Sequence, residues 1–534
     1  MNVEAGEKRK STVALRGLIF LIVVLLATAV VVAQQLGAGA YVAELGATDP
    51  DEARHFVTAL MVADHAAAGF PAPGAFAADY GLHAPQALPL ARLTLFHVLA
   101  GGWLALLTPT TPAALLLPAL LAAVLVVCAG WATARAAGVL PAVAVGFVLA
   151  ALPLLREATL VVGLDLPLAL VALLSALAFG RHMRRGTPAS AALFAAAGAV
   201  SVLMAPAGAA VLLLPPLAAL MAGRLDLMRR ARVLVPLAAL ALLALAVALA
   251  AGRLPPVVNA EGPAFVWQTL RAVFGTLMLA CAAAGLVFTI WEGWRRDEEA
   301  VDPAALAPVA ALVPAFALAF WLGAGRGVAL DATVLLAPVA MLAAFGAMRL
   351  LGLLVSGWGT IRELAVALML LLAAMPGLLQ QVRKGAIGMD AAAEAFLARE
   401  AVPPVIVVAG DARGAAALGA AMAQRDRAQR DRARRSFVVD QGRLPAATPE
   451  ALLATLDTLG AAALAVEARE TGAAPASRVA QATVAAFPDR FRAIGTFPRA
   501  DGRGEVVLYA IARRAPAPSD PAPVLRRLTA PSQS

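Results

Sequence analysis

The segment Thr48-Asp49-Pro50-Asp51-Glu52-Ala53-Arg54-His55 places three carboxylates, a guanidinium and an imidazole within eight residues. A carboxylate in such a group suits general-base chemistry, taking the proton of an attacking hydroxyl. The same residues also suit a helix start, with Asp49 as cap and Asp51 and Glu52 complementing the dipole in the first turn. A second group, Asp79-Tyr80-Gly81-Leu82-His83-Ala84-Pro85-Gln86, combines a phenol, a titratable imidazole and a proline. It reads either as an aromatic and cationic contact for a ligand or as a turn feeding a helix. A third residue, Asp165 in Val162-Gly163-Leu164-Asp165-Leu166-Pro167, stands where an apolar run begins, and its plain reading is an N-cap. His55 and His65 add nitrogen donors beside Asp51 and Glu52. A divalent cation held by Asp51 and His55 is therefore one reading, on weakly specific spacing.

The elements that must carry these residues are set by composition. The chain has 534 residues, of which 61% are hydrophobic and 14% charged, with a mean hydropathy of +0.81. Soluble domains hold about 45–50% apolar and about 25% charged residues, so this is a polytopic α-helical membrane protein. Apolar runs near 18–33, 112–133, 138–155, 166–180, 189–204, 207–222, 233–251, 265–291, 303–322, 328–348 and 362–379 predict about eleven transmembrane helices of ~20 residues. The run from Leu18 to Ala33 follows Lys8-Arg9-Lys10 and Arg16, exceeds the ~7–15 residues of a signal-peptide core, and reads as an uncleaved first span.

The formal charge of +9 is informative by position. Arg181/Arg184/Arg185, Arg224/Arg229/Arg230/Arg232 and Arg295/Arg296 lie in short loops between apolar runs. They fall on the cytoplasmic side only if the interrupted segment Leu88–Leu107 stays in the interface instead of crossing. This choice puts the N-terminus in the cytoplasm, and the polar loop 34–89 and the C-terminal region outside. No basic stripe interleaved with aromatics suggests nucleic acid. Cys128 and Cys281 lie inside apolar runs and offer neither a disulfide framework nor a zinc cluster.

Three regions follow. Residues 1–380 form a multi-span membrane domain with outer loop 34–89 and a juxtamembrane helix 88–107. Residues 381–515 form an extracytoplasmic α/β domain, with strand-length runs at Val405–Ala409, Ser436–Asp440, Ala462–Glu467 and Val506–Ala510. Residues 516–534, rich in Pro and Ser, read as a disordered tail. The arginines from Arg425 to Arg435 read as a solvated helical face, with anionic headgroups as the sharper alternative. His97 reads as an interfacial or packed histidine.

An acidic pair after the first span, an aromatic-basic-proline group before a juxtamembrane helix, and a small-x-Asp-x-Pro span start share one face of the membrane in this topology. In that order they resemble the polyprenyl-phosphate-sugar-dependent GT-C glycosyltransferases, in particular the aminoarabinose-transferase and protein-mannosyltransferase-like group. The α/β tail, with a closing hairpin near Arg492–Arg513, extends the resemblance over nearly the whole chain. It implies a GT-C fold, a polyprenyl-phosphate sugar donor, a lipid, glycan or protein acceptor, and residence in a bacterial inner membrane. It implies Asp51 as the base with Glu52 beside it, and Tyr80, His83, Arg156, Asp165, Arg253 and Arg326 as contacts to donor phosphate or acceptor. It requires no cofactor beyond a divalent cation in some cases. The chain departs from the family pattern at His83-Ala84-Pro85, where lysine and two prolines are common, and at Gly327, where tyrosine usually follows the basic residue. Two other functions fit a membrane chain of this kind: a transporter or lipid flippase, and a non-catalytic member of the same fold that binds lipid-linked sugar. The first is disfavoured by the scarcity of charge within the spans and the absence of an evident repeat.

Overall fold

The computed structural model describes residues 2–250, 262–295, 303–323, 328–355, 359–399, 404–429, 435–468, 473–499, 502, 504–513 and 520–529. Arg253, Arg326 and Gly327 lie outside them, as do Arg296 and Arg430 to Arg434. Contacts divide the chain into two units: Met1–Gln35 with Thr94–Phe96 and Pro118–Val382, and Leu36–Leu93 with His97–Leu117 and Arg383–Ser534. The loop 34–89 and most of the helix expected at 88–107 thus group with the C-terminal domain, and not with the 1–380 region to which the sequence assigns them.

In the first unit, apolar length decides which helices can cross a bilayer. Among the described residues, Gly17–Gly37, Thr111–Ala137, Asp165–Arg185, Ala231–Ala250, Leu270–Arg295, Ala332–Leu354 and Gly359–Leu379 are long and apolar enough, which makes seven. Val139–Ala151 and Pro153–Thr159, bent by 62°, form an eighth if counted as one broken span. Pro153 causes the bend: it forces Leu152 to φ −62°, ψ 127°, outside the helical region. Two of the remaining spans of the expected eleven are present as shorter apolar helices. Pro188–Met204 has 17 residues. The stretch expected at 207–222 is a 3-10 helix, Pro206–Leu213, running into Leu214–Met221 beside Pro215 and Pro216. The run expected at 303–322 is not shortened: it is helix Pro303–Gly323, 21 residues long.

Small residues let these helices approach closely. A Cβ at Gly285 would fall 2.1 Å from the Leu342 carbonyl oxygen, and one at Gly346 2.0 Å from that of Cys281. Helices Gly262–Arg295 and Val328–Leu354 therefore pack backbone to backbone, as membrane helices do where lipid offers no hydrophobic drive. Leu234, Val235, Leu242, Leu245 and Leu249 of Ala231–Ala250 stay exposed, a face suited to lipid.

In the second unit, strands β1 (Val405–Ala409), β2 (Phe437–Asp440), β3 (Ala461–Ala468), β4 (Phe491–Pro498) and β5 (Glu505–Ile511) form one sheet in the order β2-β1-β3-β5-β4. β1 pairs in parallel with β2 and β3, whereas β3/β5 and β5/β4 are antiparallel. β1 is buried along its whole length because both faces are covered. Ile406 and Val408 meet Phe396, Leu418 and Met422 on one face. Val405 and Val407 meet Leu452, Leu456 and Leu464 on the other. The expected disordered tail is corrected over Ala522–Thr529, which is helical. Leu525 is buried, with Val524 and Leu528 against the same core, a spacing that makes one apolar helix face despite the surrounding prolines.

Candidate functional site

The densest carboxylate group sits where helix Pro50–Ala67 begins. Asp49 is the N-cap, with Pro50 at the first helical position and its own carboxylate accepting the Asp51 N–H at 2.9 Å. Phe56, Val57 and Leu60 are buried on this helix, which fixes its rotation. Rotation then separates neighbours. The Asp51 side chain is 53% exposed and pairs with Arg54 at 2.6 Å, whereas Glu52, one residue on, is wholly buried. Protein atoms around Asp49 raise its carboxyl above the usual range; the Asp51 N–H opposes this, the Asp51 charge adds to it, and Arg54 and Arg413 oppose it.

Glu52 is committed to structure. One oxygen meets the Lys384 ammonium at 2.5 Å, and the other accepts the Gly46 N–H at 2.9 Å. Gly46 has φ +88°, and a Cβ there would lie 2.7 Å from that of Ala53, so a side chain would disturb the donor. Glu44 is buried next in this loop and accepts the N–H groups of Ile387 at 3.1 Å, Gly388 at 2.8 Å and Asp390 at 3.3 Å. Burial raises its carboxyl, and these backbone donors act against the rise. Glu52, expected in catalysis, thus presents no surface to a substrate.

Tyr80 and His83, expected at a ligand, line a small pocket with Ala84, Met422, Asp426 and Arg435. Tyr80 is buried; burial raises its phenol first, the Asp64 carboxylate adds to the rise, and Arg435 and Arg427 oppose it. Asp64 is itself buried and paired with Arg427 and with Arg435, the latter at 2.8 Å. Arg425 forks onto Asp390 at 2.8 and 2.5 Å and reaches Glu394 at 3.1 Å. The solvated-face expectation is thereby corrected for Arg425, Arg427 and Arg435, because acidic partners from other helices of the unit lie within reach. His83 stacks on Phe437 at 4.1 Å, and its Nδ1 lies 3.3 Å from the Ser436 carbonyl oxygen. Burial lowers its pKa below the usual imidazole value, with the Ser436 contact opposing. Its ring is thus packed against Phe437 and held toward the neutral form.

His55 meets His97 of helix Leu95–Leu106, Nδ1 to Nε2 at 2.9 Å. Burial depresses His55 to about 4, so one neutral ring donates and the other accepts. His65 Nε2 contacts the Pro71 carbonyl oxygen at 2.8 Å. Of the two donors proposed for a cation, Asp51 is paired with Arg54 and His55 with His97. Among the described residues no group of three or more His, Cys, Asp or Glu could hold one.

In the membrane unit, Arg156 donates to the carbonyls of Gln380 at 2.9 Å and Gly377 at 3.4 Å. It serves the unsatisfied end of helix Gly359–Leu379, a C-terminal role that suits a cation. Asp165 is the first residue of Asp165–Arg185, following Leu164 as cap, so it complements the dipole there. Sequence reasoning assigned no role to Glu44, Asp64, the His97 partnership or Lys384. Only Lys384 left a signal: the chain has three lysines, and the other two are Lys8 and Lys10.

No protein-family model matches the chain, and neither does any curated protein. Solved structures do. ArnT from Cupriavidus metallidurans in the apo state superposes with a TM-score of 0.53 at 14% identity, over 93% of this chain and 98% of that one. The same protein bound to undecaprenyl phosphate gives 0.51 at 15% identity, over 94% and 99%. The oligosaccharyltransferase AglB from Archaeoglobus fulgidus, in complex with an inhibitory peptide and a dolichol-phosphate, gives 0.52 at 13% identity, over 85% and 70%. The fold is that of the GT-C membrane transferases, in a multi-pass membrane protein carrying a C-terminal α/β domain.

Proposed function

We propose that the protein is a membrane glycosyltransferase that moves a sugar from a polyprenyl-phosphate carrier to a lipid, glycan or protein acceptor on the outer face of a bacterial inner membrane. The observation that carries this reading is Asp51. Of the carboxylates at this helix start, Glu52 is buried on Lys384 and Asp49 caps the helix, which leaves Asp51 exposed beside the Arg54 guanidinium. The likeness of fold to ArnT and AglB, whose structures hold undecaprenyl phosphate and dolichol-phosphate, supports the donor class.

In this reading the acceptor hydroxyl oxygen attacks the anomeric carbon, its proton passes to Asp51, and the bond from that carbon to the phosphate oxygen breaks. The polyprenyl phosphate leaves with the electron pair, and configuration inverts. Arg54 beside the base, and Arg253 and Arg326, are the cations proposed for the developing phosphate charge. Arg156, Asp165 and Tyr80 are proposed to act by shaping the surroundings through the contacts described above. The loop 34–89 and the α/β domain are assigned to the outer side by the positive-inside rule.

The packing of His83 favours a second reading, a non-catalytic member that binds lipid-linked sugar. Asp51→Asn separates the two. Transfer from radiolabelled undecaprenyl-phosphate sugars, assayed with purified protein in lipid and membrane extract, is expected to fall by about 10²–10⁴-fold. A folded variant that transfers as well as wild type removes Asp51 from the role.

A further inference from the structure

Lys384 stands out by type and by place. In a chain whose Lys and Arg total 43, it is the only lysine beyond Lys10. Its side chain is 1% exposed and that of its partner Glu52 0%. Such a pair loses the hydration of both ions, so it is not by itself a source of stability. An ammonium is compact enough for this enclosed position, whereas a guanidinium would bring a larger planar fork and more donors to satisfy.

The surroundings show what the pair does. The Lys384 N–H donates to the Ala38 carbonyl at 3.1 Å, and the Gly385 N–H lies 3.5 Å from the Thr48 hydroxyl. Glu44 then takes the N–H groups of Ile387 and Gly388. The segment from Lys384 to Gly388 is thus laced along the loop that leads into helix Pro50–Ala67. At the helix itself the link is Glu52, bonded to Lys384 on one oxygen and to Gly46 on the other. Asp51 is the preceding residue, and its backbone N–H is already held by Asp49.

We propose that Lys384 is a positioning residue: through Glu52 it fixes the first turn of helix Pro50–Ala67 and thereby the direction of the Asp51 carboxylate. The inference rests on the reading of Asp51 as the base. Reacting groups must be held to within a fraction of an ångström, and a displacement near 1 Å is worth about 10²-fold in rate.

The test uses full-length protein in lipid nanodiscs and two variants, Lys384→Met and the double variant Glu52→Gln/Lys384→Met. The double variant leaves no unpaired buried charge, so it keeps the test open if the single one fails to fold. Hydrogen exchange over residues 46–54 is expected to rise about tenfold or more, with β1 and β3 unchanged. In transfer from undecaprenyl-phosphate sugars, kcat per folded protein, with the folded fraction counted by size-exclusion chromatography, is expected to fall ~10–100-fold with KM unaltered; loss of folded protein alone would leave that normalised kcat, and the exchange confined to 46–54, at the wild-type value. Wild-type exchange over 46–54 in the double variant, or wild-type kcat, overturns the proposal. If wild-type protein transfers no sugar, the glycosyltransferase reading fails, and exchange over 46–54 alone decides whether Lys384 anchors the turn.

Discussion

Asp49, Asp51 and Glu52 are chemically alike in sequence, and burial alone gives them different work. Glu52→Gln leaves the Lys384 ammonium buried without its counter-ion, and stability is expected to drop by ~3–5 kcal/mol. Asp51→Asn removes an exposed pair with Arg54 and is expected to change stability by no more than about 1 kcal/mol. Thermal unfolding of the two variants side by side checks the contrast, and equal losses would contradict it. The sequence pointed to this cluster and to Asp51 through residue type and order. It could not tell Glu52 from Asp51, because that depends on helix rotation and on a partner 332 residues away.

The histidines carry the pH dependence at this scale. His55 is held at about 4 against an ordinary 6.5, and His83 is lowered in the same direction, both chiefly by burial. Above pH 6.5 neither folded nor unfolded chain is protonated at these rings, and their contribution does not vary. As pH falls from about 6.5 to about 4, the unfolded chain takes up protons that the folded His55 does not, so stability is lost over that window and levels off below it. Unfolding midpoints measured from pH 7 to pH 4 should fall, and less steeply in His55→Gln. A midpoint that rises on acidification would contradict the burial.

At the scale of elements, the strands were legible because alternating and continuous apolar runs of strand length are short and bounded. Strand β4, with Gly495 and a half-exposed face, was visible only as part of a hairpin. The short helix Ala522–Thr529 was hidden by flanking prolines and serines, although Leu525 and Leu528 already had helical spacing. Its docking makes a definite prediction: Leu525→Ala should destabilise the α/β domain by ~2–5 kcal/mol, the range for an enclosed leucine. Chemical denaturation followed by circular dichroism measures this, and an unchanged midpoint would return the segment to a dispensable tail. The arginines Arg425, Arg427 and Arg435 misled for the opposite reason. Charge density on a helix reads as solvent exposure, and only the folded unit shows that Asp390, Glu394 and Asp64 are there to meet them.

At the scale of the whole molecule, composition alone identified a helical membrane protein, because 61% hydrophobic content cannot be buried in any soluble core of this size. The number of spans was harder. Pro188–Met204 and Pro206–Met221 are as apolar as the others, but length and proline placement make them shorter than most bilayer crossings. Identities of 12–15% with ArnT and AglB coexist with TM-scores above 0.5 because a helical membrane fold depends on the pattern of apolar and small residues, met here at Gly285 and Gly346, more than on particular side chains. The chemistry of such a fold is decided at a few residues grafted on it. The direct measurement is therefore transfer of radiolabel from undecaprenyl-phosphate sugars by purified wild-type and Asp51→Asn protein in lipid. Transfer by wild type that falls by about 10²–10⁴-fold in the variant is the predicted result, and undiminished transfer by a folded Asp51→Asn protein would contradict it.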